Sequence, residues 1–386
     1  MAKTKRIGLL FSYDEGWVAG AYYIMNLVHA LKTLPVNEQP KLIFYIKNDN
    51  DHLIVKQLNY LNYEVIVLNS PLPFWKRLVN LLYRRLMNEN RFLNFPNKFD
   101  LDIVFPYKYD ASVHLEKYWI GRLFWIPDFQ EVYFPQFFSE EEILFRKAMQ
   151  SFIVKHNYPV VLSSYNALSH LVEKYGKNNR NEFVLNFAVT HPSIEHLDKS
   201  VILKKFSIDR PFFFAPNQFW VHKNHKIILE ALVELKVHHP NILVVFSGKE
   251  SDYRNPNYFG NIKQFVAENN LNKHVLFLGF IDREEQLLLI REAMAIIQPS
   301  LFEGWSTVVE DAKAFNKFVI ASNLEVHKEQ LNQNYLLFDP HKKEDLILQI
   351  LNFIEHRPII IACNYSQNVK KFGQDFMKIV EQITTL

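Results

Sequence analysis

Cysteine is nearly absent from this chain: Cys363 is the only one among 386 residues. A single thiol excludes a disulfide within the chain and any zinc site built on cysteine pairs, and it fits a reducing compartment. Glycine is scarce as well. The ten glycines stand at 8, 16, 20, 121, 176, 248, 260, 279, 304 and 373. Nowhere do they give the spacing Gly-x-Gly-x-x-Gly, so a nicotinamide-binding loop is not expected. There is no Walker loop and no Gly-x-Ser-x-Gly elbow, which removes the usual marks of a nucleotide triphosphatase and of a serine hydrolase. No apolar run reaches membrane-spanning length, and the one in MAKTKRIGLLFS is too short for a signal peptide. The expected location is therefore cytoplasmic, with peripheral attachment to the inner face of a membrane left open. Neither sign of charge dominates, since 44 Lys and Arg face 41 Asp and Glu for a formal charge of +3. Nothing in that balance draws nucleic acid.

What the chain does contain is apolar and periodic. Hydrophobic residues make up 48% and aromatic residues 15%, which excludes a disordered chain, and the length suits two domains. Buried strands are expected at RIGLLFS, KLIFYIK, EVIVLN, DIVFP, RLFWIP and VVLSS in the first half. PFFFAP, NILVVFSG, HVLFLGF, AIIQPS, KFVIAS and YLLFDP repeat the theme in the second. Helical patterns separate them, so the expected class is α/β with parallel sheets, two Rossmann-like β/α/β domains. The first domain is placed at residues 1–190 and the second at 191–365, with irregular linker sequence over 186–210. An amphipathic helix, 366–386, closes the chain with no strand after it.

The most informative stretch is PSLFEGWSTVVEDAKAFNKFVIASN, residues 299–323. Pro299 and Gly304 turn the chain from a strand into a helix, and Glu303 stands at the junction. In an open parallel sheet that junction opens on the ligand crevice, where the first amides of a helix bind anionic oxygens. Gly304, Trp305, Ser306 and Thr307 lead into that first turn. Carboxylates beside a phosphate site suit hydroxyls rather than the phosphate, so Glu303, Glu310 and Asp311 together suggest a nucleotide sugar. Acidic residues near a helix start are also a common stabilising feature, and both readings stand.

The segment resembles the signature of retaining GT-B glycosyltransferases, family four (glycosyl transferases group 1), in which a Glu is followed after seven residues by a second acid. Here Glu303 and Asp311 hold those places, with Glu310 next to the second. The resemblance implies two Rossmann-like domains facing each other across a cleft, and a closing helix that returns to the first of them. It implies transfer of a sugar from a nucleotide-diphosphate donor to a hydroxyl of a glycan or lipid-linked acceptor in cell-surface polysaccharide synthesis. Glu303 would hold donor sugar hydroxyls, Asp311 or Glu310 the ribose, and Lys223 the diphosphate. Asn217 stands where the family has an Arg, and a protonated His222 or His225 could compensate. Gly248 follows a strand, and the backbone of Phe280 and Ile281, after Gly279, would meet the base.

On the acceptor side the resemblance picks out Gly16, Ala19 and Gly20, read as a loop after the first strand, and Asp128, preceded by Pro127 and followed by Glu131. Asp128 is equally explained as a turn cap. Glu303, Asp128 and Lys223 are the residues expected to carry catalysis. No metal and no other cofactor is expected, because a helix start and a lysine together can hold a leaving diphosphate. The triplet Asp100-Leu101-Asp102, a metal mark in another glycosyltransferase architecture, reads better as solvated acids before a strand. Residues 71–92 join Trp75, Leu78, Leu81, Leu82 and Leu86 to Lys76, Arg77, Arg84 and Arg85. That composition suits either a helix packed on its own domain or peripheral contact with an anionic membrane. Two rivals remain: a sugar-nucleotide epimerase on the same scaffold, and a noncatalytic nucleotide-sugar binding protein.

Overall fold

The computed structural model describes residues 4–13, 18–67, 101–107, 121–176 and 181–385, with Trp75, Leu78, Val79, Leu81 and Leu82 between them. Five parallel strands form the first sheet: β1 (Arg6–Leu10), β2 (Lys41–Ile46), β3 (Tyr63–Val67), β4 (Ile103–Phe105) and β5 (Gly121–Arg122), in the order β3-β2-β1-β4-β5. The chain then changes partners. Leu123 donates its N–H to the Val104 carbonyl, whereas Phe124 donates to Pro159. The single strand expected at RLFWIP is therefore two, split where successive amides turn to different neighbours. β6 (Phe124–Ile126), β7 (Val160–Leu162) and β8 (Glu182–Val184) make a three-stranded parallel sheet, and β8, half-buried along its length, was not anticipated.

The second half holds β9 (Phe213–Ala215), β10 (Val244–Phe246), β11 (Val275–Phe277), β12 (Ile296–Gln298), β13 (Val319–Ser322) and β14 (Tyr335–Phe338) in one parallel sheet, ordered β11-β10-β9-β12-β13-β14. Every residue of β9, β10, β12 and β13 is buried, as expected of strands covered by helices on both faces. Strand order reverses between β9 and β12. Ligands of such sheets bind outside the carboxyl ends of the strands at that reversal, so the loops after Ala215 and Gln298 mark the crevice before any side chain is considered.

The closing helix, Ser366–Thr384, packs in the first core. Val369, Phe372, Phe376 and Val380 recur at helical spacing and lie with Ile7, Leu9, Leu27 and Leu31. Gly373 lets the backbones touch, because a Cβ there would lie 2.6 Å from the Ala30 carbonyl oxygen. Phe376 is 0% exposed. Its replacement by Ala is expected to cost about 3–5 kcal/mol, read from urea unfolding.

Two expectations change. Ala19 and Gly20 belong to the first turn of the helix Val18–Lys32 rather than to a loop. The helix Lys199–Lys205, capped by Asp198, sits inside the stretch read as linker. Gly16 lies outside the described residues, as does most of 71–92, of which Trp75, Leu78, Leu81 and Leu82 are exposed. Among the described residues no helix is long and apolar enough to cross a membrane.

Candidate active site

Glu303 lies on the turn between β12 and the helix Thr307–Ala314, and one of its oxygens is fixed from three directions. Lys223 Nζ (2.6 Å), Ser300 Oγ (2.7 Å) and Gln298 Nε2 (2.8 Å) all donate to Oε1. Burial pushes this carboxyl up, but Lys223 and Ser300 outweigh it and hold it below the ordinary glutamate value. Its Oε2 accepts nothing from the described residues and is not sealed from solvent. Glu303 is thus a rigid, ionised carboxylate with one oxygen to spare.

The support behind it is an amide relay. Gln298 ends an otherwise apolar strand and is 0% exposed. Its Oε1 accepts from Asn217 Nδ2 (2.9 Å), while its Nε2 donates to Glu303 and to Ser300 Oγ. A buried amide must be paired on both ends, and here both ends are used to aim Glu303. Asn217, expected among the donor contacts, reaches the site through Gln298. The missed residue, Gln298, was signalled by a polar side chain closing an apolar strand.

The Lys223 loop is tied to the Glu303 loop by backbone. Leu301 N–H donates to the His222 carbonyl (2.7 Å), and Asn224, in the left-handed region at φ 54°, donates its Nδ2 to Pro299 (3.2 Å) and Pro340 (2.9 Å). The histidines do not supply the missing cation. Burial drives His222 well below its ordinary value and His225 to about 3, so both are neutral at physiological pH. His225 stacks on Phe219, ring centroids 4.3 Å apart. Lys223 is the cation that meets Glu303.

Ser306 caps the helix Thr307–Ala314, its Oγ accepting from Val309 N–H (3.3 Å). Gln330 grips the same cap, accepting from Ser306 N–H (3.2 Å) and donating to the Ser306 carbonyl (2.8 Å) and Glu310 (2.9 Å). The amides of Thr307 and Val308 donate to nothing among the described residues. Two first-turn N–H groups are therefore left for an anion. After β10, Gly248 (φ 143°) donates its N–H to the Gly279 carbonyl (2.8 Å). A Cβ on Gly248 would strike the Asn217 backbone. Phe280 follows, 67% exposed, and Ile281 packs against the core cluster that holds Leu243, Ile296 and Val309.

Asp128 faces this site from the first half. Gly304 has no left-handed backbone, but a Cβ there would lie 2.8 Å from the Asp128 Cβ and closer still to the Pro127 carbonyl oxygen. The Asp128 carboxyl, 28% exposed, is raised above the ordinary aspartate value by burial and by the nearby Glu131 and Glu303; Arg146 and the Gln130 amide oppose that rise. Glu131 itself is held by Gln150 (2.7 Å) and Arg146 (3.4 Å).

Glu310 and Asp311 are placed differently. Each is 1% exposed. Glu310 Oε1 accepts from Lys313 and Gln330, and its Oε2 from the Tyr365 hydroxyl. Asp311 is gripped at both oxygens by Arg283, one bond being 2.7 Å, and by His191 Nε2 (2.9 Å). Every carboxylate oxygen of the pair is engaged by protein, so neither side chain offers a ligand the open oxygen that Glu303 does. As for metals, Asp102 accepts from Arg6 N–H (2.7 Å), and the buried Asp51 accepts from Tyr13 N–H (2.8 Å) and Lys47 N–H (3.0 Å). Among the described residues no three His, Cys, Asp or Glu side chains gather to hold an ion.

Residues 198–374 match the family of glycosyl transferases group 1. The group 1 region contains Lys223, Glu303 and the helix Thr307–Ala314. An O-antigen chain mannosyltransferase, RfbU, of Salmonella typhimurium is 25% identical over 254 residues, which is 66% of this chain and 66% of that one. A glycosyltransferase structure from Rickettsia africae superposes on 99% of this chain and 96% of its own, with TM-score 0.65 and 18% identity. HepE of Anabaena, solved with UDP and glucose, covers 99% and 98% with TM-score 0.65 and 16% identity. The shared architecture is GT-B, two Rossmann-like units.

Proposed function

We propose that this chain is a glycosyltransferase that moves a sugar from a nucleoside diphosphate to a hydroxyl of a glycan or lipid-linked glycan, with retention of anomeric configuration and without a metal. The observation that carries the reading is the Glu303 carboxylate, locked at Oε1 and open at Oε2, beside Lys223 and the unpaired amides of Thr307 and Val308. A donor's diphosphate suits the amides and the ammonium, and its sugar hydroxyls suit Oε2. As the bond to the diphosphate breaks, negative charge grows on the leaving oxygens and positive charge at the anomeric carbon. Groups of both signs already fixed in place stabilise that separation without reorganising. The acceptor hydroxyl would enter from the Asp128 side, where a carboxyl with a raised proton affinity is available to take its proton. Gly248, Phe280 and Ile281 border the nucleobase in this reading. The UDP bound to HepE and the sugar named for RfbU guide the choice of donors to test.

The test is thermal melting against UDP, GDP, dTDP and their sugar conjugates. A ligand that binds the native state at about 100 times its Kd adds about 2.7 kcal/mol, so at least one nucleotide is expected to raise the melting temperature. A flat response across the panel would remove the proposal. Nucleoside diphosphate released only with an acceptor present separates a transferase from an epimerase, which turns over its donor alone, and from a binder, which releases none. The anomeric coupling of the product, read by NMR, decides retention.

A further inference from the structure

Between the helix Lys343–His356 and the closing helix, residues 357–364 run without regular structure and carry a sequence whose composition belongs in a core. It is not buried. Ile359, Ile360 and Ile361 are 91%, 45% and 56% exposed, and Ala362 and Cys363 after them are exposed as well. In a strand laid on a core, alternate side chains would turn inward, whereas here five apolar residues in succession stay open to solvent. The backbone is treated the opposite way. Ile361 N–H donates to Asn334 Oδ1 (2.8 Å), and the Ile361 carbonyl accepts from Asn334 Nδ2 (2.8 Å) and Gln333 Nε2 (3.2 Å). Cys363 N–H donates to Asn316 Oδ1 (2.8 Å). Both asparagines are left-handed, at φ 56° and 53°, a conformation that Asn adopts more readily than most residues. An ordinary surface loop gives its polar backbone to water and hides its apolar side chains. This one has its backbone held by protein and its apolar side chains held out.

The charges beside the run are mostly of one sign. Residues 355–371 contain a single acid, Glu355, against Arg357, Lys370 and Lys371. Lys371 is paired with Asp375, whereas Arg357 and Lys370 are exposed and meet no acid among the described residues. We propose that residues 359–363 form an apolar wedge that seats in an anionic lipid surface, with Arg357 and Lys370 against the headgroups. A second copy of the chain fits less well, because the run exposes a few hundred Å², well short of the ~800 Å² that each member of a stable dimer buries. A bilayer asks for no complementary shape. It accepts a few apolar side chains past its headgroups, and each cation near an anionic surface strengthens the attachment about fivefold. The wedge is separate from residues 71–92, the stretch whose composition suited either packing or lipid contact. Lipid contact here needs no nucleotide, so vesicle binding and donor binding succeed or fail independently.

Cys363 makes the test direct, because it is exposed, stands inside the run and is the only thiol in the chain. The full chain, labelled there with a polarity-sensitive dye, is mixed with vesicles of phosphatidylcholine and phosphatidylglycerol, and with vesicles of phosphatidylcholine alone. The dye is expected to shift to the blue on the anionic vesicles, and unlabelled protein is expected to sediment with them. Ile359→Ser with Ile360→Ser should lower the partition by about tenfold or more on either vesicle, whatever the salt. Arg357→Gln with Lys370→Gln should lower it by about 25-fold on the anionic vesicles alone, a difference that raised salt removes. All four side chains are exposed, so melting temperatures equal to wild type are expected and separate lost contact from lost folding. Failure of wild type to sediment with anionic vesicles would overturn the proposal. Sedimentation with an unshifted dye would also overturn it, because the contact would then lie elsewhere on the chain. Dimerisation abolished by the isoleucine variant would make the run an interface between two copies and overturn it as well.

Discussion

Replacing Glu303 with Gln is expected to lower turnover by roughly 10²–10³-fold, the usual loss when one preorganised electrostatic contact is removed, while nucleoside diphosphate affinity holds or rises. The two effects part because Glu303 does two things. Its Oε1 neutralises Lys223 at 2.6 Å, and its Oε2 is the acceptor left for a sugar hydroxyl. In the amide, the Lys223, Ser300 and Gln298 donors claim the remaining oxygen, so an NH₂ takes the place of Oε2 and offers the hydroxyl a donor where it needs an acceptor. The negative charge near the developing oxocarbenium is lost as well. Lys223, relieved of its counterion, is freer to pair with the diphosphate. Lys223→Ala should do the reverse, weakening nucleotide binding and leaving an unpaired carboxylate that is only 9% exposed. In wild type the Glu303 carboxyl lies below its ordinary 4.5, so its contribution to stability is present above that value and is lost as the pH falls through the depressed native one. Without the ammonium, burial has less to oppose it and the carboxyl moves up. The variant should then lose stability as the pH rises above 4.5, because ionisation now favours the unfolded chain. Calorimetric titration with UDP and melting curves from acid to neutral pH check both signs. Equal weakening of nucleotide binding by the two substitutions would show that Glu303 and Lys223 act on the diphosphate as one unit.

The parts of this site that the sequence displayed are those in which local spacing and chemistry agree. The run AIIQPSLFEGWSTVVEDA shows a strand, a turn and a helix in succession, so Glu303 could be placed at the junction, and the family resemblance added Lys223. What stayed hidden depends on distant pairing. Nothing local says that Asn217 spends its amide on Gln298, 81 positions later, or that Glu310 meets Tyr365, 55 positions on. At 310 and 311 the acidity was visible in the sequence, whereas the burial that leaves each residue 1% exposed was not. Their nearest sequence clue is the adjacent Lys313, which Glu310 does bind (2.7 Å). The fold followed the same division. Wholly apolar strands such as β10 declared themselves, whereas β8 is three half-buried residues whose pairing comes from β7, and the break at Leu123 is set by its neighbours' carbonyls.

Gly304→Ala is expected to cost about 10²-fold in turnover, the loss that follows a misplacement of about 1 Å at a reacting centre, with nucleotide affinity nearly unchanged. Gly304 is not among the residues of positive φ, so its backbone suits alanine and conformational strain is not the reason. Space is. The new methyl would lie 2.8 Å from the Asp128 Cβ and closer to the Pro127 carbonyl oxygen, and neither neighbour is the movable end of a flexible side chain. Relief therefore requires the wall carrying Asp128 to retreat from the wall carrying Glu303. The donor contacts, all on the second half, stay assembled through that movement, so calorimetric titration with nucleotide should give nearly the wild-type Kd while transfer fails. The double variant Gly304→Ala with Asp128→Gly separates the two contacts. It removes the clash at the Asp128 Cβ but keeps the one with the Pro127 backbone, and it also removes the carboxyl proposed to take the acceptor proton, so activity should not return. Wild-type turnover in Gly304→Ala alone would mean that the halves need not approach this closely for transfer, and that Asp128 acts, if at all, from a greater distance than the one seen across Gly304.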